Sequence, residues 1–313
     1  MRASILVAGS LNMDFVARVA ALPAPGQTVP GLSFDLIPGG KGANQACAAG
    51  KLAGPRTLVR MAGCVGADSF GEDLCHSLAL ASVEVDAVRR ISGVATGAAM
   101  INVDAAGQNT IVVVPGANHC FEPAHVEALR ERLRESAWVL LQLESPLPTV
   151  EAILLTARQE GARSMLDPAP ARSLTRELLL LVDVLTPNES EACSFLGRPP
   201  SRVGLTEAPE IARALLALGP RAIVLKLGEA GCYYSGPEGE HAEEAFAVSA
   251  VDATAAGDTF NAALAVAFTE GLPVPAAIRF ANAAAALSVT RAGAQTSAPS
   301  REATDAFLAQ RIR

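Results

Sequence analysis

From residue 122 onward the chain alternates short apolar runs with helix-length amphipathic stretches, and no other feature of the sequence restricts the fold as much. The spacing predicts a helix over 122–136, a strand over 138–142, a helix over 149–160 and a strand over 164–167. A strand over 184–186, a helix over 208–218 and a strand over 222–227 continue the series. Strands alternating with helices of this length imply a parallel sheet covered on both faces, an α/β fold. The first part of the chain fits the same scheme, with a strand over 4–9, a helix over 41–52, a strand over 56–64 and a helix over 68–81. The last part reads as a strand over 245–249 and helices over 258–270, 274–288 and 301–310. Two segments depart from it. Residues 15–37 lack helical periodicity and carry Pro23, Pro25, Gly26, Pro30 and Gly31, while 98–103 and 110–114 flank a turn as a hairpin.

Composition narrows the function. A formal charge of −7 without a long basic run argues against nucleic acid or an anionic membrane as the partner. No apolar run reaches the roughly 18 residues of a membrane span, and the opening run is too short for a signal peptide. Six cysteines without C-x-x-C spacing suit reduced thiols and a cytoplasmic location. Small-molecule chemistry is the expectation.

The most informative stretch is Val251-Asp252-Ala253-Thr254-Ala255-Ala256-Gly257-Asp258-Thr259-Phe260-Asn261, where a run of small residues meets an acid and a helix begins. Small side chains admit a polyanion to the backbone, and the unpaired amides and dipole of a helix start attract it. Gly257 then places the Asp258 carboxylate beside a phosphate seat, where it can serve as a general base. Taken alone, the stretch fits an ordinary helix start equally well. Other polar residues gather at strand ends or helix starts: Asn12 and Asp14, Gly40-Lys41-Gly42-Ala43-Asn44, Glu144, Asn188 and Glu191. In an open parallel sheet that edge carries the ligands. The glycine-rich turn at 38–45 matches neither a dinucleotide fingerprint nor a P-loop. At Thr186-Pro187-Asn188-Glu189 the sequence predicts Thr186 as N-cap and Glu189 as its capping-box partner.

Gly39-Gly40-Lys41-Gly42-Ala43-Asn44 and Ala255-Ala256-Gly257-Asp258 together resemble the two signatures of the ribokinase family of sugar kinases, with Ala256 read as standing where the second pattern has its first glycine. Gly9-Ser10-Leu11-Asn12-Met13-Asp14, Asp167-Pro168-Ala169-Pro170-Ala171 and Val289-Thr290-Arg291-Ala292-Gly293-Ala294-Gln295 extend the likeness along nearly the whole chain. The resemblance implies a three-layer parallel-sheet domain spanning 1–313, with a β-sheet lid from about 15–38 and 98–115. It implies transfer of the ATP γ-phosphoryl group to O5 of ribose, with Asp258 as base and the amides of Ala255, Ala256, Gly257 and Asp258 as anion hole. Asn12, Met13, Asp14, Gly40, Lys41, Gly42, Ala43, Asn44, Glu144 and Asp258 would hold the sugar. Asn188, Lys226, Leu227, Gly228, Glu229, Ala230, Gly231, Gly257, Asp258 and Asn282 would line the ATP site, with Glu191 acting indirectly on Mg²⁺. Lys226 stands where the family often carries threonine. K⁺ would be held by Asp252, Thr254, Ser288, Arg291, Gly293 and Ser297. A small sheet with an apolar face left in water further suggests a homodimer through the lid. The alternatives are 2-deoxyribose, fructose or a nucleoside as substrate, or a sugar sensor without catalysis.

Overall fold

A nine-stranded and a four-stranded sheet organise the computed structural model, which describes residues 3–311. β1 (Ala3–Ala8) runs through the large sheet, β2 (Asn12–Val19) and β3 (Gly31–Gly39) enter the small one, and α1 (Lys41–Leu52) returns the chain. β4 (Thr57–Gly66), α2 (Ser69–Leu80) and β5 (Val83–Ile91) extend the large sheet on one side of β1. β6 (Gly97–Val103) and β7 (Asn109–Val114) complete the small sheet. The chain then crosses β1 and builds the other side through α3 (Arg130–Glu135), β8 (Ser136–Leu141), α4 (Leu147–Glu160), β9 (Arg163–Leu166), α5 (Arg176–Leu179), β10 (Val184–Leu185), α6 (Glu189–Phe195), α7 (Ala208–Leu216) and β11 (Ala222–Lys226). β12 (Cys232–Gly236) and β13 (Gly239–Glu243) add an antiparallel edge, and α8 (Ala256–Thr269), α9 (Val274–Ser288) and α10 (Arg301–Ala309) follow.

The large sheet has the order β13-β12-β11-β10-β9-β8-β1-β4-β5, parallel from β11 to β5. Chain order reverses between β1 and β8, and such a reversal opens a crevice at the carboxyl ends of the strands. The period of two along β1 sends Ile5 and Val7 into one buried cluster, with residues of α1, α8 and α9, and Leu6 and Ala8 into a second, with residues of α4 and α7. Covered on both faces, the parallel strands read as near-continuous apolar runs. Among the described residues no helix is long and apolar enough to cross a membrane, and all six cysteines are free thiols.

The small sheet has the order β3-β2-β6-β7, so the two irregular segments pair as expected. Its register aligns Phe15 with Leu36 on one side and with Met100 on the other, and Met100 with Val112. Leu32, Phe34, Leu36, Met100 and Val112 are all exposed.

Three expectations need correction, and one strand lies where none is expected. The segment 122–136 is not one helix but the 3₁₀ turns Pro123–His125 and Glu127–Leu129 followed by α3. Val126 and Leu129, three apart, are both buried, which suits three residues per turn, whereas Leu133 lies four further on. No strand forms at 245–249; the strand is β13, just before it, and the apolar residues Phe246 and Val248 line a cavity instead. The N-cap of α6 is Asn188, not Thr186, and its capping-box partner is Glu191, not Glu189. Thr186 and Pro187 are still in sheet pairing, donating to Leu166 O and accepting from Lys226 N, so the helix cannot start before 188. Finally, β5 is a strand that the sequence reading left unassigned.

Candidate active site

The start of α1 lies against the end of β1, beside the reversal of strand order. Gly40, the N-cap, sits at φ 86° and ψ 131°, and a Cβ there would stand 2.7 Å from Asn12 N, so only glycine fits. A Cβ on Gly42 would stand 2.6 Å from Ser10 N, which explains how closely α1 approaches the end of β1. The first amides of α1 are capped from a distance in sequence. Lys41 N donates to Glu144 Oε2 (3.1 Å), which also accepts from Ser10 Oγ (2.5 Å), and Ala43 N donates to Ser10 O (2.9 Å). Glu144 is thus tied to a helix start, and its negative charge is placed where the helix dipole favours it.

Asp14 projects from β2 beside Glu144. Burial, and then the Glu144 charge, push its carboxyl up to about 7. Asn12 Oδ1 accepts from Asn118 Nδ2 (2.8 Å), and Asn118 also exchanges hydrogen bonds with the Leu11 backbone. Asn118 escaped the sequence reading because a lone asparagine in a loop carries no motif. Lys41 makes no side-chain hydrogen bond or ion pair among the described residues. Burial pushes its ammonium down, but the carboxylates of Asp258, Asp167, Glu144 and Glu191 outweigh burial and hold it above the ordinary lysine value.

Asp258 lies in the first turn of α8. Its Oδ2 accepts from Asn44 Nδ2 (3.2 Å) and its Oδ1 from Gln45 Nε2 (3.0 Å), so both oxygens are oriented by α1. Burial drives this carboxyl above its ordinary value; Lys41 opposes the shift and Asp167 adds to it. Asn44 Oδ1 is buried without a partner, an acceptor left open for a ligand. The N-cap of α8 is Ala255, at φ 57° and ψ 16°, with no side-chain cap. This left-handed position is the one a glycine would favour, so the residue standing for the first glycine is Ala255 rather than Ala256. Ala256 N is spent on Ala253 O (3.2 Å), whereas among the described residues nothing accepts from the amides of Gly257 and Asp258. Those amides form the free helix end.

Two cavities meet at this helix end. One of about 660 Å³ is the more polar, with Lys41, Asp167, Asn188, Glu191, Lys226 and Asp258 among its lining. The other, about 490 Å³, is mostly apolar, walled by Phe246, Val248, Phe260 and Val289, with Asn282 and Gly231. Lys226, Gly228, Ala253, Ala256 and Gly257 line both. An elongated ligand with an apolar ring and an anionic tail fits the pair, its tail crossing the free amides. Asn282 Nδ2 donates to Glu244 O (2.7 Å), which leaves its Oδ1 as acceptor. Glu229 lines the apolar cavity too, but Leu227 and Ala230 do not: Leu227 is wholly buried in the core, and Ala230 packs against it. Met13 is likewise a core residue.

Asn188 and Glu191 engage each other. Glu191 Oε2 accepts from Asn188 N (2.8 Å) and its Oε1 from Asn188 Nδ2 (2.9 Å), which leaves free lone pairs facing the polar cavity. Among the described residues there is no cluster of three or more His, Cys, Asp or Glu suited to a metal ion. A single carboxylate, Glu191, is what this cavity would offer a Mg²⁺ ion bound mainly through other oxygen ligands. Asp252 accepts from Thr254 N (2.9 Å), Thr254 Oγ1 (2.6 Å) and Gly293 N (2.9 Å). It pins the loop before α8 to the segment after α9. Ser288 and Ser297 donate their hydroxyls to Ala285 O and Ala294 O, and Arg291 is exposed.

Residues 2–301 match the model of the pfkB family carbohydrate kinases. A ribokinase from Schizosaccharomyces pombe is 39% identical, with 95% of each chain covered. A deoxyribokinase from Salmonella typhi is 33% identical, with 97% of this chain and 98% of that one covered. The structure of Arabidopsis thaliana ribokinase complexed with ribose and ATP superposes with a TM-score of 0.91 at 32% identity, covering 98% of this chain and 99% of that one.

Proposed function

Because this chain belongs to the pfkB family of carbohydrate kinases, we propose that it transfers the γ-phosphoryl group of ATP to O5 of D-ribose. The observation that carries this is the placement of Asp258. A buried carboxylate, oriented on both oxygens by Asn44 and Gln45, stands beside free helix amides and lines one cavity with Lys41. Asp258 takes the O5 proton, the O5–P bond forms as the bridging P–O bond to ADP breaks, and ADP leaves with that electron pair. The Gly257 and Asp258 amides meet the charge that develops on the transferred group, and because they are fixed beforehand they need no reorganisation. Lys41 and Asn44 hold sugar hydroxyls, Asn188 and Lys226 take nucleotide phosphates, and Asn282 contacts the base. Mg²⁺, when bound near Glu191, supplies neutralisation of phosphate charge.

The test is ATP consumption by the purified protein against a panel of pentoses, hexoses and nucleosides. Highest kcat/KM on ribose supports the reading. A preference for 2-deoxyribose would move the substrate to that of the deoxyribokinase relative, and no turnover on any sugar would leave a sensor. We place the activity in the cytoplasm, in keeping with the free thiols.

Two further expectations belong to this reading. K⁺ bound near Asp252, Thr254, Ser288, Arg291, Gly293 and Ser297 would order the loop that carries the free amides without touching substrate. Replacing K⁺ by Na⁺ at constant ionic strength should then lower kcat clearly, and Asp252→Ala should erase the difference; equal wild-type rates in the two salts would remove the site. The exposed apolar row of the small sheet should dock against the same row of a second copy, since an apolar face of this kind otherwise stays in water. Light scattering at micromolar concentration should give twice the monomer mass, and a fully active monomer would defeat this.

A further inference from the structure

Asp167, just past β9, is 2% exposed, and its two carboxylate oxygens serve two different groups. Oδ1 pairs with the Lys226 ammonium (2.9 Å), and Oδ2 accepts from Gln45 Nε2 (3.1 Å). The same Gln45 nitrogen donates to Asp258 Oδ1 (3.0 Å), while Gln45 Oε1 accepts from Gln142 Nε2 (2.7 Å). An amide nitrogen carries two hydrogens, and here each goes to a different carboxylate, so Gln45 has only one orientation. At the other end of the chain of contacts, the Lys226 ammonium lies 3.4 Å from where a Cβ on Gly257 would stand, above the free amides of α8.

We infer that Asp167 is a positioning residue for phosphoryl transfer, holding the Lys226 ammonium at the phosphate seat with one oxygen and, through Gln45, the Asp258 carboxylate with the other. The inference rests on the reading of Asp258 as the base. The ion pair holds a lysine side chain that would otherwise be free, and it also competes with phosphate for the same ammonium, two opposed effects on nucleotide affinity. Stability alone does not account for the arrangement: an apolar pair in place of a buried ion pair is often as stable or more so, and two carboxylates bridged by one amide repel. The charged groups around Asp258 are Lys41 from α1, Asp167 from the end of β9 and Lys226 from β11, with Asp14, Glu144 and Glu191 beyond Lys41; Asn44 and Gln45 face it uncharged. The Asp167 charge makes Asp258 harder to ionise, so removing it makes ionisation easier.

Asp167→Asn should therefore lower kcat about tenfold or more, as a base that is weaker and less well aimed. The acid limb of its kcat–pH profile should move to lower pH by about half a unit or more, because a neighbouring like charge is gone. Affinity for MgADP, read by calorimetry, should stay within about threefold of wild type, since Lys226 remains in reach, whereas Lys226→Met should weaken it about tenfold, the scale of a lost charge-assisted hydrogen bond. Asp167→Glu, which keeps the charge, should restore the wild-type limb. A limb that does not move in Asp167→Asn, or loss of MgADP binding there to the extent seen in Lys226→Met, would overturn the inference. If Asp167→Asn fails to fold, Gln45→Met carries the test: kcat should fall with MgADP affinity kept, and an unchanged kcat would refute the link. The variants are compared on whichever sugar the wild type phosphorylates best, so failure on ribose and failure of the limb to move are separate results.

Discussion

Asp258→Asn should lower kcat by about 10²- to 10⁴-fold, the range for losing a general base, while the fold and MgADP binding persist. The substitution keeps the shape of the side chain but removes the lone pair that takes the proton. One of its two terminal atoms becomes an NH₂ facing a donor from Asn44 or Gln45, so one hydrogen bond is lost as well. On the proposed reading the nucleotide would be gripped elsewhere, by the free amides and the walls of the apolar cavity, and those are untouched. Steady-state turnover with saturating ribose and ATP, set beside calorimetry with MgADP, separates the two effects. Near wild-type turnover would remove Asp258 from the mechanism.

The second large effect is expected at Lys41. Its ammonium has no hydrogen-bonding partner among the described residues and stands among four carboxylates, so all three of its protons are available to ligand oxygens. Lys41→Ala should raise the sugar KM about 10- to 100-fold, the scale of a lost hydrogen bond to a charged group, with MgADP affinity changed within about threefold. It should also move the acid limb of kcat upward in pH. Lys41 favours the ionised form of Asp258, so without it the base protonates sooner as the pH falls. This direction is opposite to that expected for Asp167→Asn, and measuring both limbs tests whether the two charges act on one base. An ADP affinity that falls as far as the sugar affinity would place Lys41 on the phosphates instead.

How much of this was legible in the sequence depends on whether the signal was local. The alternation of apolar runs with helical stretches gave the parallel core, and turn residues marked the two segments that became the small sheet. The glycine-rich turn at 39–44 and the small-residue run at 253–258 announced both halves of the site, because each demands particular residues within one turn of chain. No site role is legible in the sequence for Asp167, Gln45 or Asn118, since their roles come from partners far along the chain: Gln45 reaches Asp258 across 213 positions and Asn118 reaches Asn12 across 106. The cap of α6 was misplaced because Thr186-Pro187 is a good local start signal, overridden by sheet pairing that continues to residue 187. At 245–249 an apolar run looked like a strand but serves as a cavity wall.

Ala255 leaves α8 beginning without a cap, in a backbone conformation disfavoured by roughly 1–2 kcal/mol for a residue with a Cβ. A helix end of this kind is unfinished by itself, and a phosphate seated on the Gly257 and Asp258 amides would complete it as a serine or aspartate side chain completes other helices. The nucleotide would then also be a structural part of the protein. α8 is almost wholly buried and packs on both α1 and α9, so firmness gained at its first turn passes directly to the helix that presents Lys41, Asn44 and Gln45. A protein built this way would be stiffest at the reacting centre only while its phosphate donor is in place, and would loosen there once the donor has gone.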